Sequence, residues 1–526
     1  MNSLIASNSN TSTRLTSFLQ QASELCERLL DEEVSNRDDT RSARSVPNGD
    51  SKGCIFAPDN KWIQLGKGVN SGENELIRLR TTVAMKFSIL QPYILLTVHP
   101  PVTGDAAAED LRPNKALYCI WDITNPGSPS YVLESSGIPT CCSFSDAQTY
   151  IVVCGTAEGS IYLWDLREDN TAHRDRDSID LGIERGIRKA CYSVNMALNN
   201  NREVSCDQHI ASILQIESMG SNDGSSVNTT GIMSQFASLD QSGTIVLWVT
   251  AAASTAASAM DYGLSPWGTV CLIQTRVLRS NETALLSTPS TLPTLVNYFS
   301  TIPGDLSTFL VTIPEGNIKI VTRFGDASNT SLYLKRSTVT QKIASSTINS
   351  DILHDSTVTY MAVRSHTAID KSATSLILVG RSNGSVDLFQ LDIEAPLRTW
   401  VLSYYDESNK DVGSVVSLTW SPNKSYSFIA CDRIGRIQYF DLLKSPKSPL
   451  YCEYFPTSPL AANCVGISSC RPGSRSAYVV TIGKSDAIIA SKLWDELLST
   501  SDHNDCDMFN TSMNSWMGRN TQFKFL

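Results

Sequence analysis

Apolar residues in this chain come in short runs separated by small polar turns. Residues 140–169, TCCSFSDAQTYIVVCGTAEGSIYLWDLRED, hold three such runs in succession. CCSF is followed by Ser-Asp, YIVVCG by a Glu-Gly turn, and SIYLWD ends on Trp164-Asp165. Brief runs rich in Ile, Val, Tyr and Trp, bounded by Gly, Asp and Ser, predict strands joined by tight turns. LYCIWDI at 117–123 closes the same way on Trp121-Asp122, and the two tryptophans are 43 residues apart. That spacing falls within the roughly 40–45 residues of a four-stranded repeat.

Strand, turn, strand, Gly turn and a strand ending in Trp-Asp make up one blade of a WD-repeat β-propeller. The pattern predicts an all-β, seven-bladed WD-repeat propeller over 59–498. The first blade takes strands at 83–88, 93–98 and 116–123, and the second is the stretch above. The third ends in SLDQSGTIVLWV, 84 residues separating Trp164 from Trp248. One blade with insertions fits this interval, because 171–189 is charged and 217–231 is loop-like; two degenerate blades, eight in all, is the alternative. FLVTIPEGNIKIV, SLILVGRSNGSVDLF, SLTWSPNKSYSFIACDRIGRIQYFD and AYVVTIGKSDAIIASKLWD supply the fourth to seventh blades. A strand at 61–65 is placed to complete the last blade and close the ring, which would remove exposed edges.

Upstream, the period changes. Residues 1–13 are Ser/Asn/Thr-rich and predict a disordered start. Over 14–33, Leu15, Phe18, Leu19, Ala22, Leu25, Cys26, Leu29 and Leu30 follow the i, i+3, i+4, i+7 spacing of an amphipathic helix. An isolated helix this short is marginal in water, so its stripe must dock on the propeller or on another chain. Leu15, Phe18, Leu19, Leu25 and Leu29 are the candidate partner-binding residues. Residues 34–58 read as a polar linker and 499–526 as a loose polar tail.

Composition narrows the function. The chain has 526 residues and a formal charge of −10, which argues against a general nucleic-acid or anionic-membrane surface. No apolar run approaches the ~20 residues that span a bilayer, and the first residues lack a secretory pattern. Fourteen cysteines are scattered; Cys119, Cys141, Cys154 and Cys431 fall within predicted strands and read as reduced core residues. No cofactor motif, Gly-rich phosphate loop, G-x-S-x-G elbow or H-E-x-x-H is present. Cys206 and His209, with His503 and Cys506, could compose a zinc set, but they are distant in sequence and the reading is disfavoured. Ser501-Asp502-His503 is no triad, because a triad is assembled by the fold. The mixed-charge stretch 173–189 reads as a solvated loop in preference to a docking surface. Trp121, Trp164 and Trp248 are expected to pack blades, and Asp122 and Asp165 to serve hairpin and inter-blade hydrogen bonds. The sequence reads as a non-enzymatic binding platform.

Beyond this, LYCIWDI (117–123), TCCSFS (140–145) and CGTAEGSIYLWDLRED (154–169) resemble the larger WD-repeat intermediate chain of cytoplasmic dynein 2, the retrograde motor of intraflagellar transport. FASLDQSGTIVLWV (236–249), DYGLSPWGTVCLI (261–273), GRSNGSVDLFQL (380–391), SLTWSPNKSYSFIACD (417–432) and the helix TRLTSFLQQASELCERLLDEE (13–33) extend the likeness. The resemblance implies a propeller that holds a dynein heavy-chain tail beside a second intermediate chain, while the N-terminal segment recruits dynein light chains. It implies residence in the cytoplasm and cilium, at the axoneme and basal body, associated with the cytoskeleton. A WD-repeat scaffold of another complex, whether another dynein, trafficking or ubiquitin machinery, is the alternative. Two departures stand out. The family's long charged N-terminal region is short here, so some light-chain sites are expected to be absent or supplied by the partner chain. No Gly-His dipeptide occurs, so the buried Asp–His network of well-formed WD repeats is expected to be largely missing.

Overall fold

The computed structural model describes residues 55–57, 62–67, 71–104, 110–183, 185–194, 209, 211–219, 234–253, 263–279, 298–302, 305–312, 316–323, 333–334, 357–364, 376–391, 393–402, 413–421, 423–424, 426–455, 464–468, 477–482, 487–498, 505 and 507–513. Met1–Gly53 form one unit and Cys54–Leu526 another. The helix expected over 14–33 lies outside the described residues.

The second unit is a ring of seven sheets. The chain enters through β1 (Ile63–Gln64) and a short helix α1 (Gly72–Ile77). Blade 1 is β2 (Ala84–Phe87), β3 (Ile94–His99), β4 (Ala116–Asp122) and β5 (Tyr131–Ser135). Blade 2 begins with β6 (Pro139–Phe144), β7 (Ile151–Thr156) and β8 (Ile161–Asp165). An insertion follows, carrying α2 (Arg176–Asp180) and β9 (Ile187–Lys189), before β10 (Tyr192–Val194) completes the blade. Blade 3 is β11 (Ile213–Ser218), β12 (Gln235–Asp240), β13 (Thr244–Ala252) and β14 (Val270–Arg279). Blade 4 is β15 (Phe299–Ile302), β16 (Asp305–Thr312), β17 (Ile318–Thr322) and β18 (Tyr333–Leu334). Blade 5 is β19 (Val358–Val363), β20 (Leu376–Arg381), β21 (Ser385–Gln390) and β22 (Arg398–Val401). Blade 6 is β23 (Val415–Trp420), β24 (Ser427–Asp432), β25 (Arg436–Asp441) and β26 (Tyr451–Tyr454). Blade 7 is β27 (Cys464–Ile467), β28 (Tyr478–Ile482), β29 (Ile488–Lys492) and, outermost, β1.

The first strands of the blades touch in a closed cycle, β2, β6, β11, β15, β19, β23, β27 and back to β2. These are the innermost strands. Closure is by the predicted device: Ile63 pairs with Ala490 and Gln64 with Ile489. The interval between Trp164 and Trp248 holds one blade with insertions, so the count is seven.

Middle strands are sandwiched between neighbouring blades, which explains why they read as unbroken apolar runs instead of alternating ones. Every residue of β7, β8, β24 and β25 is buried. The cores accordingly lie between blades. At the seam of blades 5 and 6, Phe428 and Phe440 stack with centroids 4.6 Å apart, and Trp400 is 5.3 Å from Phe428. Such aromatic pairs add roughly 0.5–1.5 kcal/mol each beyond the burial of their area. Gly243 and Gly435 turn the middle hairpins of blades 3 and 6 at φ of 85° and 93°, a region side chains with a Cβ rarely enter.

Three expectations change. The stretch 173–189 is not a solvated loop: His173, Ile183, Ile187 and Arg188 are buried. Its β9 adds a parallel fifth strand to blade 1, Val132 pairing with Ile187 and Glu134 with Lys189. Of its charges, His173 meets Glu168 and Asp175 meets Arg112, while Arg174, Arg176, Asp177, Asp180, Arg185 and Lys189 are exposed. The linker ends earlier than 58, since Ile55 and Phe56 are buried and Phe56 bridges to Leu493. The tail is helical over 507–513, with Phe509 buried against Tyr426; apolar residues spaced four apart, Phe509 and Met513, anchor it.

Candidate interaction surface

Leu15, Phe18, Leu19, Leu25 and Leu29 lie outside the described residues. Among the described residues of the propeller, three polar clusters have a structural explanation built from the strands that carry them, and blades 5 and 6 add the buried pairs Arg381–Asp387 and Arg436–Asp432.

The first is in blade 3. Ser238 and Asp240 are alternate residues of β12, and Trp248 lies on β13. His209 Nδ1 is 3.1 Å from Asp240 and its Nε2 is 2.6 Å from Ser238 Oγ. Trp248 Nε1–H donates to the same hydroxyl at 2.7 Å. All four residues are buried. Burial alone would raise the Asp240 carboxyl, but hydrogen bonds from His209, Ser242 and the Thr244 N–H outweigh it and hold it below the ordinary carboxylate value. With both ring nitrogens committed, His209 is not poised as a metal ligand; Cys206, His503 and Cys506 lie outside the described residues. No group of His, Cys, Asp or Glu among the described residues could hold a metal ion.

This network is the one whose absence the missing Gly-His dipeptide suggested. It is present in this one blade, with Gln208 before His209 where the glycine was sought. The usable signal was the Asp240-Gln-Ser-Gly243 turn, which the sequence displays. Blade 1 has a rearranged version. Trp121 Nε1–H donates to Thr97 Oγ1 at 3.0 Å, Thr97 Oγ1 is 3.0 Å from His99 Nε2, and His99 Nδ1 is 3.2 Å from the Thr81 carbonyl. The histidine here occupies the strand position that Asp240 has in blade 3. Burial, with Arg80 nearby, lowers His99 to about 4.

The second is the clasp around blade 1. Arg112 pairs with Glu134 of β5 at 3.0 Å, and with Asp175 and Asp177 of the insertion at 2.5 and 2.9 Å. Arg80 pairs with Asp110 at 2.8 Å and donates to the carbonyls of Arg112 and Lys115. Within the insertion, His173 meets Glu168 at 3.1 Å. Trp164 donates to the Arg188 carbonyl at 3.2 Å, so both sequence-predicted packing roles of Trp121 and Trp164 include a buried donor's partner. Asp122 and Asp165 act within their own turns, on Thr124 and Arg167; the inter-blade half of the role expected of them is not what their carboxylates do.

The third involves the innermost strands: Lys86 of β2 feels the charges of Asp146, Glu217 and Tyr360, which come from blades 2, 3 and 5. Burial alone would lower its ammonium, but these neighbours outweigh it and raise the pKa above the ordinary lysine value. Burial also raises Glu217, opposed by Lys86 and by hydrogen bonds from Thr301 and Gln215. A lysine held protonated is neither nucleophile nor base. Cys119 and Cys141 are likewise pushed to about 12 by burial, which keeps them as unreactive thiols. Cys119, Cys141, Cys154 and Cys431 are buried and unpaired, as their strand positions predicted.

The outer surface carries large exposed apolar side chains singly. Ile138, Ile179, Val401, Tyr454 and Met508 stand on different elements, the scatter normal for a protein surface. No described helix is long and apolar enough to cross a membrane.

No protein-family profile matches the chain. Cytoplasmic dynein 2 intermediate chain 1 of Homo sapiens is 25% identical over 486 residues, covering 89% of this chain and 41% of that protein. The Mus musculus protein of the same name is 25% identical over 499 residues, covering 91% of this chain and 45% of its own length. The chain therefore spans less than half of these curated relatives. Among solved structures, the beta-propeller domain of Myceliophteria thermophila Cps50 (Swd1) aligns with a TM-score of 0.45 and 11% identity, covering 78% of this chain and 96% of that one. Over about nine-tenths of its length, this chain is similar to the WD-repeat intermediate chain of cytoplasmic dynein 2.

Proposed function

We propose that the chain is a non-catalytic intermediate chain of cytoplasmic dynein 2. The observation that carries this reading is the extent of the similarity: 486 residues align with the human protein, far more than one repeat, so the likeness cannot be that of a shared blade motif. In this reading the propeller binds the tail of a dynein heavy chain beside a second intermediate chain. The segment 14–33 helps recruit dynein light chains through Leu15, Phe18, Leu19, Leu25 and Leu29. The motor so assembled carries retrograde intraflagellar transport, placing the chain in the cytoplasm and cilium. A closed ring suits that task, because it presents a rigid surface to several partners at once.

Affinity purification of the tagged chain from ciliated cells, with partners identified by mass spectrometry, tests the proposal. Recovery of a dynein 2 heavy chain, a different intermediate chain and light chains supports it. Recovery of another complex without a dynein heavy chain sinks it and leaves a scaffold of that complex.

A further inference from the structure

The link between β25 and β26 reads Leu442-Leu443-Lys444-Ser445-Pro446-Lys447-Ser448-Pro449-Leu450, with Lys-Ser-Pro twice in succession. Asp441 fixes its base: the carboxylate accepts from the N–H groups of Leu443 and Lys444 at 3.1 Å, and the carbonyl from the Ser445 N–H at 2.9 Å. Its midpoint is fixed from blade 5, where Arg398 and Trp400 Nε1 both donate to the Pro446 carbonyl, the latter at 3.0 Å. Around these anchors Lys444, Lys447 and Ser448 are exposed.

Each serine precedes a proline, and that position is biased to extended backbone. The two hydroxyls lie 3.0 Å apart. Among the described residues, that mutual hydrogen bond is the only one either hydroxyl makes. The other described Ser-Pro serines differ. Ser265 Oγ donates to the Ala190 carbonyl at 2.7 Å, Ser421 Oγ is buried, and Ser128 is half-buried. Ser448 is thus an exposed hydroxyl at a seam between blades, near the exposed Lys444 and Lys447, and its one hydrogen bond is to Ser445.

We propose that Ser448 is a phosphorylation site for a proline-directed protein kinase. In the transfer, Ser448 Oγ bonds to the γ-phosphorus of ATP, the bond from that phosphorus to the ADP oxygen breaks, and the hydroxyl proton passes to the kinase's base. The product places roughly −1.5 to −2 charges and three acceptor oxygens beside Lys444 and Lys447. A cationic spot on the rim becomes neutral, and its lysines pair with the phosphate in place of an acidic partner. The modification would therefore act on what docks at the seam of blades 5 and 6, leaving the ring itself unchanged.

The test uses the purified full chain, ATP and a kinase of the mitogen-activated or cyclin-dependent class, with phosphate located by peptide mass spectrometry. The expected result is one phosphate in the 442–450 link, on Ser448, lost in Ser448→Ala and kept in Ser445→Ala. Phosphate on Ser445 alone, or only on Ser-Pro steps elsewhere, overturns the proposal. So does a folded chain that takes no phosphate in this link while a free peptide of the same sequence does, because the loop geometry then forbids the reaction.

Discussion

Trp248 and His209 meet on one hydroxyl: Ser238 Oγ accepts from Trp248 Nε1 at 2.7 Å and lies 2.6 Å from His209 Nε2. An ionised Asp240 carboxylate can only accept, so His209 donates to it from Nδ1, while the Ser238 hydroxyl also reaches the Val246 carbonyl at 3.3 Å. Removing the Ser238 hydroxyl takes the shared partner from both Trp248 Nε1 and His209 Nε2. Ser238→Ala should therefore lower stability by about 1–3 kcal/mol, the cost of orphaned buried groups. Urea unfolding followed by tryptophan fluorescence measures it, and an unchanged midpoint would show that the network is ornamental.

Acid sensitivity should come from blade 1. Burial lowers His99 to about 4, against about 6.5 for an unperturbed histidine. Between these values the unfolded chain binds the extra proton and the folded one does not. Stability is then full above pH ~6.5 and declines as pH falls toward 4, by roughly 3 kcal/mol for a shift of this size. Melting temperatures between pH 4 and 7 should slope in the parent chain and flatten in His99→Gln. Parallel slopes would refute the assignment.

The clasp gives a sharper test. In Arg112→Ala, Glu134 and Asp175 lose their cation, and a broken half-buried pair of this kind costs about 3–5 kcal/mol. Asp175 is held down to about 2, burial acting against hydrogen bonds from Ser178 and Arg112. Its contribution is present above its unfolded value near 3.8 and is lost as pH falls toward 2. In the variant its titration, followed by NMR, should move up toward the ordinary value. Limited proteolysis should also open the insertion around α2 first; cutting elsewhere would argue that the clasp is not held by Arg112.

How far the sequence could be read follows from these residues. The ring was legible because sandwiched strands such as β7 must be apolar on both faces, and because Trp121 and Trp164 repeat at blade spacing. Even the closing strand showed, as a short β-rich run with no other partner. The clasp was not legible. Arg112, Asp175 and Asp177 look like any solvated charges until the fold brings 112 beside 175, and no local period encodes that pairing. His209 escaped for a related reason: its role is set by Asp240 and Ser238, some 30 residues on, and the dipeptide used as its marker is absent.

Ring closure can be tested by truncation. A chain starting at Lys67 loses Ile55, Phe56 and Leu65, all buried, together with β1. Three such side chains are worth about 1.5–3 kcal/mol each, so roughly 5 kcal/mol or more should disappear relative to a chain starting at Cys54. Equal denaturation midpoints for the two truncations would mean that β29 needs no outer partner.

The N-terminal stripe separates assembly from folding. Leu19→Asp with Leu25→Asp should abolish light-chain recovery in affinity purification, with the propeller's melting temperature unchanged. Full recovery of light chains by the double variant would move the recruitment site elsewhere.

Residues 187–194 carry a consequence for the order in which the ring can be made. The run serves first as the edge of blade 1 (β9 on β5) and then as the edge of blade 2 (β10 on β8). A ribosome therefore releases blade 1 with its flank bare and cannot finish it until most of blade 2 has emerged. β1, synthesised before any blade, waits for β29, which is synthesised nearly last. Open strand edges on a nascent chain invite wrong pairing. β1, the first strand of the ring to be made, thus depends longest on protection, and a destabilising substitution in the clasp would be felt while the ring is still incomplete.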